Sequence, residues 1–190
     1  MLLESKKKDL AELEALASQG SIDLFYGDET RVSSEGYVPY GWQFKDETVC
    51  VLSEKGYGMN ILGLISRDNK CHFTSTEQTI NAAFVLSYLD DLSRKITIET
   101  FIVLDNASIH KARLLQEKWA VWQERGLFIF FLPPYSPQLN LAETMWRKLK
   151  TEWLQASDYG EKERLFCAID KYMNNIGNKN TIRFNPFNIN

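Results

Sequence analysis

Two short apolar, β-branched runs, residues 97–104 and 127–132, each follow a stretch whose apolar residues recur at helical spacing, and that order restricts the chain more than any single motif. Before the first run, residues 77–93 carry Ile80, Phe84 and Tyr88 on one row and Val85, Leu89 and Leu92 on the next. Before the second, residues 109–125 form another helical stretch. Helix and strand in alternation predict a parallel crossover, and runs without polar alternation predict strands buried on both faces. Upstream, residues 22–28, 48–53 and 59–66 are strand-like runs between Gly, Pro and charged turns, which predicts an antiparallel meander. A short extension at 71–75 follows the turn Arg67-Asp68-Asn69-Lys70. The chain leads in with an amphipathic helix over 4–18 and continues after Pro133-Pro134 with helices from near Asn140 to about 155 and over 161–174. The expected fold is α/β, a mixed sheet of three antiparallel strands and then two parallel strands, flanked by helices. Its expected divisions are a helical lead-in over 1–20, one α/β domain over 21–175 and an irregular Asn-rich tail over 176–190. Right-handed crossovers would bring the C-terminal ends of 22–28 and 97–104 side by side, where open α/β sheets bind ligands.

Composition excludes several classes. A chain of 190 residues with 44% apolar content builds one ordinary core. The longest unbroken apolar run, 127–132, is far below the roughly 20 residues of a membrane span, and Lys6-Lys7-Lys8 precede no apolar run, so no membrane partner and no Sec-type secretion are expected. Three cysteines, Cys50, Cys71 and Cys167, without a C-x-x-C pair argue against a disulfide framework and a structural zinc site, which fits a reducing cytoplasm. The net charge of -3 divides into -6 over residues 1–104, +2 over 105–153 and +1 over 154–190. Grip on nucleic acid by phosphate neutralisation alone would call for a more basic chain. A carboxylate site whose negative charge is cancelled by bound cations remains compatible with this balance.

Three acidic residues stand at element ends. Asp28 closes the first predicted strand, Asp105 follows Phe101-Ile102-Val103-Leu104, and Glu143 lies one turn into the helix after the proline-rich bend. Such hard oxygen donors suit Mg²⁺ or Mn²⁺, and two such cations stabilise the entering and leaving oxygens of a phosphoryl displacement. Each position has a plainer reading. Asp105-Asn106 is an ordinary turn signal, Asn140-Leu141-Ala142-Glu143 fits a capping box, and Glu29 is chemically as good a ligand as Asp28. At 100° per residue, Leu141, Ala142, Met145, Trp146, Leu149 and Trp153 share a broad face, while Glu143, Arg147 and Lys150 line another. Arg147 and Lys150 could there meet phosphate, or Arg147 could pair with Glu143 at i, i+4.

The strings Val103-Leu104-Asp105-Asn106-Ala107-Ser108-Ile109-His110 and Leu132-Pro133-Pro134-Tyr135-Ser136-Pro137-Gln138-Leu139-Asn140-Leu141-Ala142-Glu143, with Tyr26-Gly27-Asp28-Glu29-Thr30 and Gly41-Trp42 upstream, resemble the mariner-like branch of the DDE transposases. The 37 residues between Asp105 and Glu143 are similar to the family's spacing, and Leu141 stands where a proline is usual. The resemblance, over roughly residues 22–153, implies a ribonuclease H-like catalytic domain with Asp28, Asp105 and Glu143 as catalytic, metal-binding residues, and it selects Asp28 over Glu29. It implies two divalent cations, Mg²⁺ or Mn²⁺, cleavage of DNA at element ends and strand transfer to target DNA. Asn106 and His110 would support the site, and Tyr135, Arg147 and Lys150 would contact DNA, whereas Trp42 is expected in the core. The expected partners are DNA, a second copy of the full transposase and a separate helix-turn-helix recognition module, since only about 20 residues precede the first strand. Two rival expectations are a catalytically silent remnant that self-associates or binds DNA weakly, and a ribonuclease H-like nuclease that cuts RNA in hybrids.

Overall fold

The computed structural model describes residues 2–34, 56–134, 136–185 and 187. Strands β1 (Asp23–Ser33), β2 (Gly58–Ile65) and β3 (Cys71–Thr76) pair antiparallel, and β4 (Thr100–Leu104) and β5 (Leu127–Phe131) pair parallel, in one five-stranded sheet of order β3-β2-β1-β4-β5. This is the mixed sheet of the ribonuclease H-like class. The third antiparallel strand is 71–76, expected only as a short extension; its polar sequence hides a strand that pairs with β2 from Ile65↔Cys71 to Asn60↔Thr76. The strand expected at 48–53 lies outside the described residues.

Helix α1 (Leu2–Ser18) leads in, α2 (Ala82–Ser93) joins β3 to β4, and α3 (Arg113–Gln116) with α4 (Trp119–Glu124) joins β4 to β5. Helix α2 begins five residues later than its periodicity suggests, because the Asn81 side chain accepts the Phe84 N–H at 3.0 Å and caps it there. The stretch 109–125 is two short helices instead of one, and residues 108–111 form a turn with the His110 side chain drawn inward. After β5, a 3₁₀ turn at Pro137–Leu139 leads into α5 (Leu141–Lys148), which widens into a π turn at Leu149–Trp153, and α6 (Lys162–Met173) follows.

Strand alternation divides the core into two layers. Leu24, Tyr26, Val32, Ile61, Ile65 and Val103 face α1, α5 and α6 through Leu10, Ala142, Met145, Trp146, Leu165 and Ile169. Phe25, Leu62, Leu64, Ile102 and Leu104 face α2, α3 and α4 through Val85, Leu89, Leu115 and Trp122. On that side Asp90 Oδ1 accepts Trp122 Nε1–H at 3.2 Å and Arg125 Nη1–H at 2.9 Å, joining α2 to α4. On the other, Tyr26 donates its hydroxyl to Glu14, which also holds Arg67 through two bonds of 2.8 and 2.6 Å, so α1 is fixed to β1 and to the β2–β3 turn. The segment beyond α6 is irregular yet buries Ile176 and Ile182, and both polar groups of the Asn69 side chain bond the Ile182 backbone. Cys71 and Cys167 carry free thiols. Among the described residues no helix is long and apolar enough to cross a membrane.

Candidate active site

Strands β1 and β4 run parallel with Tyr26 opposite Val103, and two residues further along each stand Asp28 and Asp105. Tyr26 and Val103 both pack into the α5 layer. The period of two therefore sends both carboxylates out on the face that α5 covers. Asp28 does not close its strand as expected. Strand β1 continues to Ser33 because residues through Ser33 keep pairing with β2, and it is β4 that stops at Leu104 and opens the gap beside Asp28.

Helix α5 brings Glu143 to the same gap. Directly opposite Asp28 on β2 is Gly63, where a Cβ would lie 2.5 Å from Trp146 Cη2, so the absent side chain is what lets α5 sit this close. The helix start is fixed by Asn140, which is buried. Its Oδ1 accepts the Ala142 N–H at 3.1 Å, and its Nδ2 donates to the Gly27 carbonyl at 3.1 Å, one residue before Asp28. No capping box forms. The Asn140 N–H donates to the Pro137 carbonyl at 2.8 Å, which leaves the Glu143 carboxylate uncommitted to the cap. Asn140→Ala is expected to cost about 2–3 kcal/mol, about 1 from the lost cap and the rest from the stranded Gly27 carbonyl, read as a lower urea midpoint at unchanged slope.

A cavity of about 390 Å³ is lined by Asp28, Asp105, Asn106, Glu143, Asn140 and the prolines of the bend. Burial pushes the Asp28 carboxyl up to about 7, and the charges of Glu143, Glu29 and Asp105 push the same way, against a backbone hydrogen bond from Glu29. The half-buried Lys150 is pulled below the usual lysine range by burial, while the attraction of Asp28 and Glu143 opposes that. Asn106 Nδ2 donates to the Leu132 carbonyl, tying the loop after β4 to the end of β5.

Asp105 is a turn residue as well as a site residue, because its Oδ1 accepts the Ala107 N–H at 2.9 Å. The same oxygen meets His110 Nδ1 at 2.8 Å, and His110 Nε2 meets Glu29 Oε1 at 2.7 Å. Burial works against the imidazolium, but the hydrogen bonds and charges of Glu29 and Asp105 prevail and raise the His110 pKa above the ordinary histidine value.

The structure thus brings Asp28, Asp105, Asn106 and Glu143 to one cavity, with His110 bonded to Asp105 and Lys150 alongside. Arg147 is exposed on α5, and the Glu143–Arg147 pair is absent from the ion pairs of the described residues. Tyr135 and Trp42 lie outside the described residues. The burial of Asn140 and the link from Glu29 to His110 are tertiary facts with no local signal in the sequence. Among the described residues, no group of three His, Cys, Asp or Glu side chains stands closed up as a metal-holding cluster.

A five-stranded mixed sheet with one carboxylate within a central strand, one just past the end of its parallel neighbour and one on a crossing helix is the arrangement of the ribonuclease H-like nucleases and transferases as a class. The sequence profile of the DDE superfamily endonucleases matches residues 23–166. The chain belongs to the DDE superfamily endonuclease family. Its fold is similar to the catalytic domain of the Mos1 mariner transposase (TM-score 0.56, 16% identity, covering 90% of this chain and 80% of that one) and to the transposase in the Mos1 strand transfer complex (TM-score 0.57, 16% identity, 90% and 53%). It is also similar to a chain of the simian T-cell lymphotropic virus intasome (TM-score 0.50, 14% identity, 79% and 48%). The chain spans about half the length of the Mos1 transposase chains in such complexes. No curated protein matches it at a significant level.

Proposed function

We propose that this domain cuts DNA strands at the ends of a mobile element and joins them to target DNA, with Asp28, Asp105 and Glu143 as its cation ligands. The observation that carries the reading is the convergence of these three carboxylates on one cavity, together with the burial and, after it, the charge crowding that keep Asp28 from ionising easily in the metal-free protein. A cluster of hard oxygens whose mutual repulsion needs a cation to relieve it fits Mg²⁺ or Mn²⁺. The Mos1 mariner paired-end complex has been crystallised with Mn and with Mg, which supports the choice. Two such cations would stabilise the entering and leaving oxygens of an in-line displacement at phosphorus.

The chain's own residues supply positioning. Asp28 stands within β1 and Glu143 on a helix anchored to the sheet, while Asp105 follows directly on the end of the adjacent β4 and is held in its turn by the Ala107 N–H and His110. Asn106 holds the loop after Asp105 to the end of β5. Lys150, half-buried beside Asp28 and Glu143, presents a cation to a phosphate oxygen entering the cavity, and Arg147, exposed on α5, adds a second phosphate contact; the DNA contact expected of Tyr135 rests on the motif resemblance alone. A helix-turn-helix module that recognises the element ends and a second copy on the paired end belong to the same reading, in a cytoplasm where chromosomal DNA is the target.

A catalytically silent domain is the second reading, favoured by the lack of a closed metal-holding cluster among the described residues. The test is nicking of duplex DNA carrying the element ends in Mg²⁺ or Mn²⁺, beside an RNA–DNA hybrid of the same sequence. Nicking of the DNA duplex that stops on chelation is the expected result. Metal-independent cleavage or preference for the RNA strand sinks the proposal, and no cleavage with no heat on Mn²⁺ titration selects the silent domain.

A further inference from the structure

His110 spends both ring nitrogens on carboxylates. The residue is 1% exposed; Nδ1 lies 2.8 Å from Asp105 Oδ1 and Nε2 2.7 Å from Glu29 Oε1, and since ionised carboxylates only accept, each ring nitrogen serves as a donor when both acids are ionised. Asp105 Oδ1 is then committed twice, since it also accepts the Ala107 N–H, and Oδ2 is the oxygen left over. Glu29 itself does not line the cavity, because strand alternation sends it to the face opposite Asp28. It occupies the paired interior of β1, opposite Leu62, whereas His110 and Asp105 lie in irregular backbone after β4. A rigid strand is therefore connected to a turn by a single buried ring.

We propose that Glu29 is a positioning residue, which acts through His110 to lock the rotation of the Asp105 carboxylate so that Oδ1 stays in the turn and Oδ2 is presented to a cation. The inference rests on the reading of Asp105 as a cation ligand. Its physical basis is that the terminal torsion of an aspartate is broad and nearly two-fold, so an unrestrained carboxylate exchanges its oxygens, while two fixed donors on one oxygen select a single orientation. His110 is one bond removed from Asp105, and the loss of such a partner costs roughly 10–100-fold in metal affinity; Glu29, one bond further out, acts by holding that ring in place.

The test is calorimetric titration of Mn²⁺ into the full chain without DNA, beside thermal melting. Glu29→Ala is expected to weaken Mn²⁺ binding by about 10–100-fold, and Glu29→Gln, which still accepts from Nε2–H, to stay within about 3-fold of the original chain at a similar melting temperature. His110→Asn keeps an amide where Nδ1 stands but has nothing to reach Glu29. It is expected to show the same loss, with no further loss when Glu29→Ala is added. Wild-type affinity in Glu29→Ala, equal losses in Glu29→Ala and Glu29→Gln, or additive losses in the double variant would each overturn the proposal. Should Glu29→Ala fail to fold, His110→Asn carries the test alone, and undiminished affinity there overturns it. Asp105→Asn separates the two levels. If it binds Mn²⁺ normally, the ligand reading fails and this inference fails with it; if it loses binding while Glu29→Ala keeps it, only the positioning role falls.

Discussion

Replacing Asp28 by asparagine is expected to raise the melting temperature of the metal-free protein while abolishing metal-dependent strand cleavage. The two effects have one cause. Burial and the neighbouring charges of Glu143, Glu29 and Asp105 make an ionised Asp28 unfavourable, and they push its pKa up from 3.8 to about 7. Between those values the folded state holds a proton that the unfolded state has released, so the wild-type chain loses stability as pH rises across that window and recovers none above it. Asparagine is neutral throughout. The advantage of Asp28→Asn in chelator-treated protein should therefore be near zero at about pH 4, grow through about pH 7 and then level off, as the pKa window requires. After discounting for solvent, a gain of about 1 kcal/mol corresponds to roughly 2–4 °C in a chain of this size. Saturating Mn²⁺ should reverse the order, stabilising the wild type and not the variant. Loss of a ligand carboxylate is expected to cost at least about 10²- to 10³-fold in cleavage, several kcal/mol of transition-state stabilisation. A variant that melts lower than wild type without metal, or that still cleaves, would remove Asp28 from the proposed role.

The second large effect falls on a residue with no side chain. A Cβ on Gly63 would sit 2.5 Å from Trp146 Cη2 and 2.9 Å from both Met145 Cε and Trp146 Cζ2. The methionine end can swing aside, but the indole is a rigid plate, 4% exposed within the α5 core layer. Gly63→Ala must then lift α5 from the sheet at the turn that carries Glu143. Overpacking of this kind costs about 1–3 kcal/mol. The functional loss should exceed the stability loss, because Gly63 stands opposite Asp28 and the displacement opens the Asp28–Glu143 gap directly. Mn²⁺ affinity should fall at a temperature where circular dichroism still reports a folded chain. At Gly27 the atoms a Cβ would meet are the methyl ends of Leu104 and Leu64, each at 2.7 Å, and a smaller penalty is expected there. Equal Mn²⁺ affinity in Gly63→Ala and wild type would show that the α5 spacing does not set the site.

Much of this was legible in the residues. The apolar runs of β4 and β5 predicted parallel strands, of which β4 is largely buried while β5, at the sheet edge, leaves residues 128–131 half-buried, and Ala142, Met145 and Trp146 of α5 with Leu149 just after it are buried core as expected. The polar stretches failed for a common reason. Glu29 to Ser33 and Cys71 to Thr76 are strands because β2 pairs with them on both sides, a non-local gain that their own composition does not announce. The expected continuous helix over 109–125 met a histidine drawn inward by the neighbouring Asp105 carboxylate and by that of Glu29 on a strand far away in sequence.

Periodicity and turn chemistry along the chain determined the order of the elements and the mixed character of the sheet, because each depends on neighbours a few residues apart, whereas the choice of Asp28 over Glu29 came from the family resemblance of the motifs. The tertiary structure alone decided which carboxylates share a cavity and which one serves as a tether. Parallel pairing of β1 with β4 put Asp28 and Asp105 on one face, the missing side chain of Gly63 and the buried Asn140 drew Glu143 to them, and the opposite face of β1 gave Glu29 to His110. Such convergence is a matter of register and packing between segments far apart in sequence, where a one-residue slip would exchange Asp28 for Glu29.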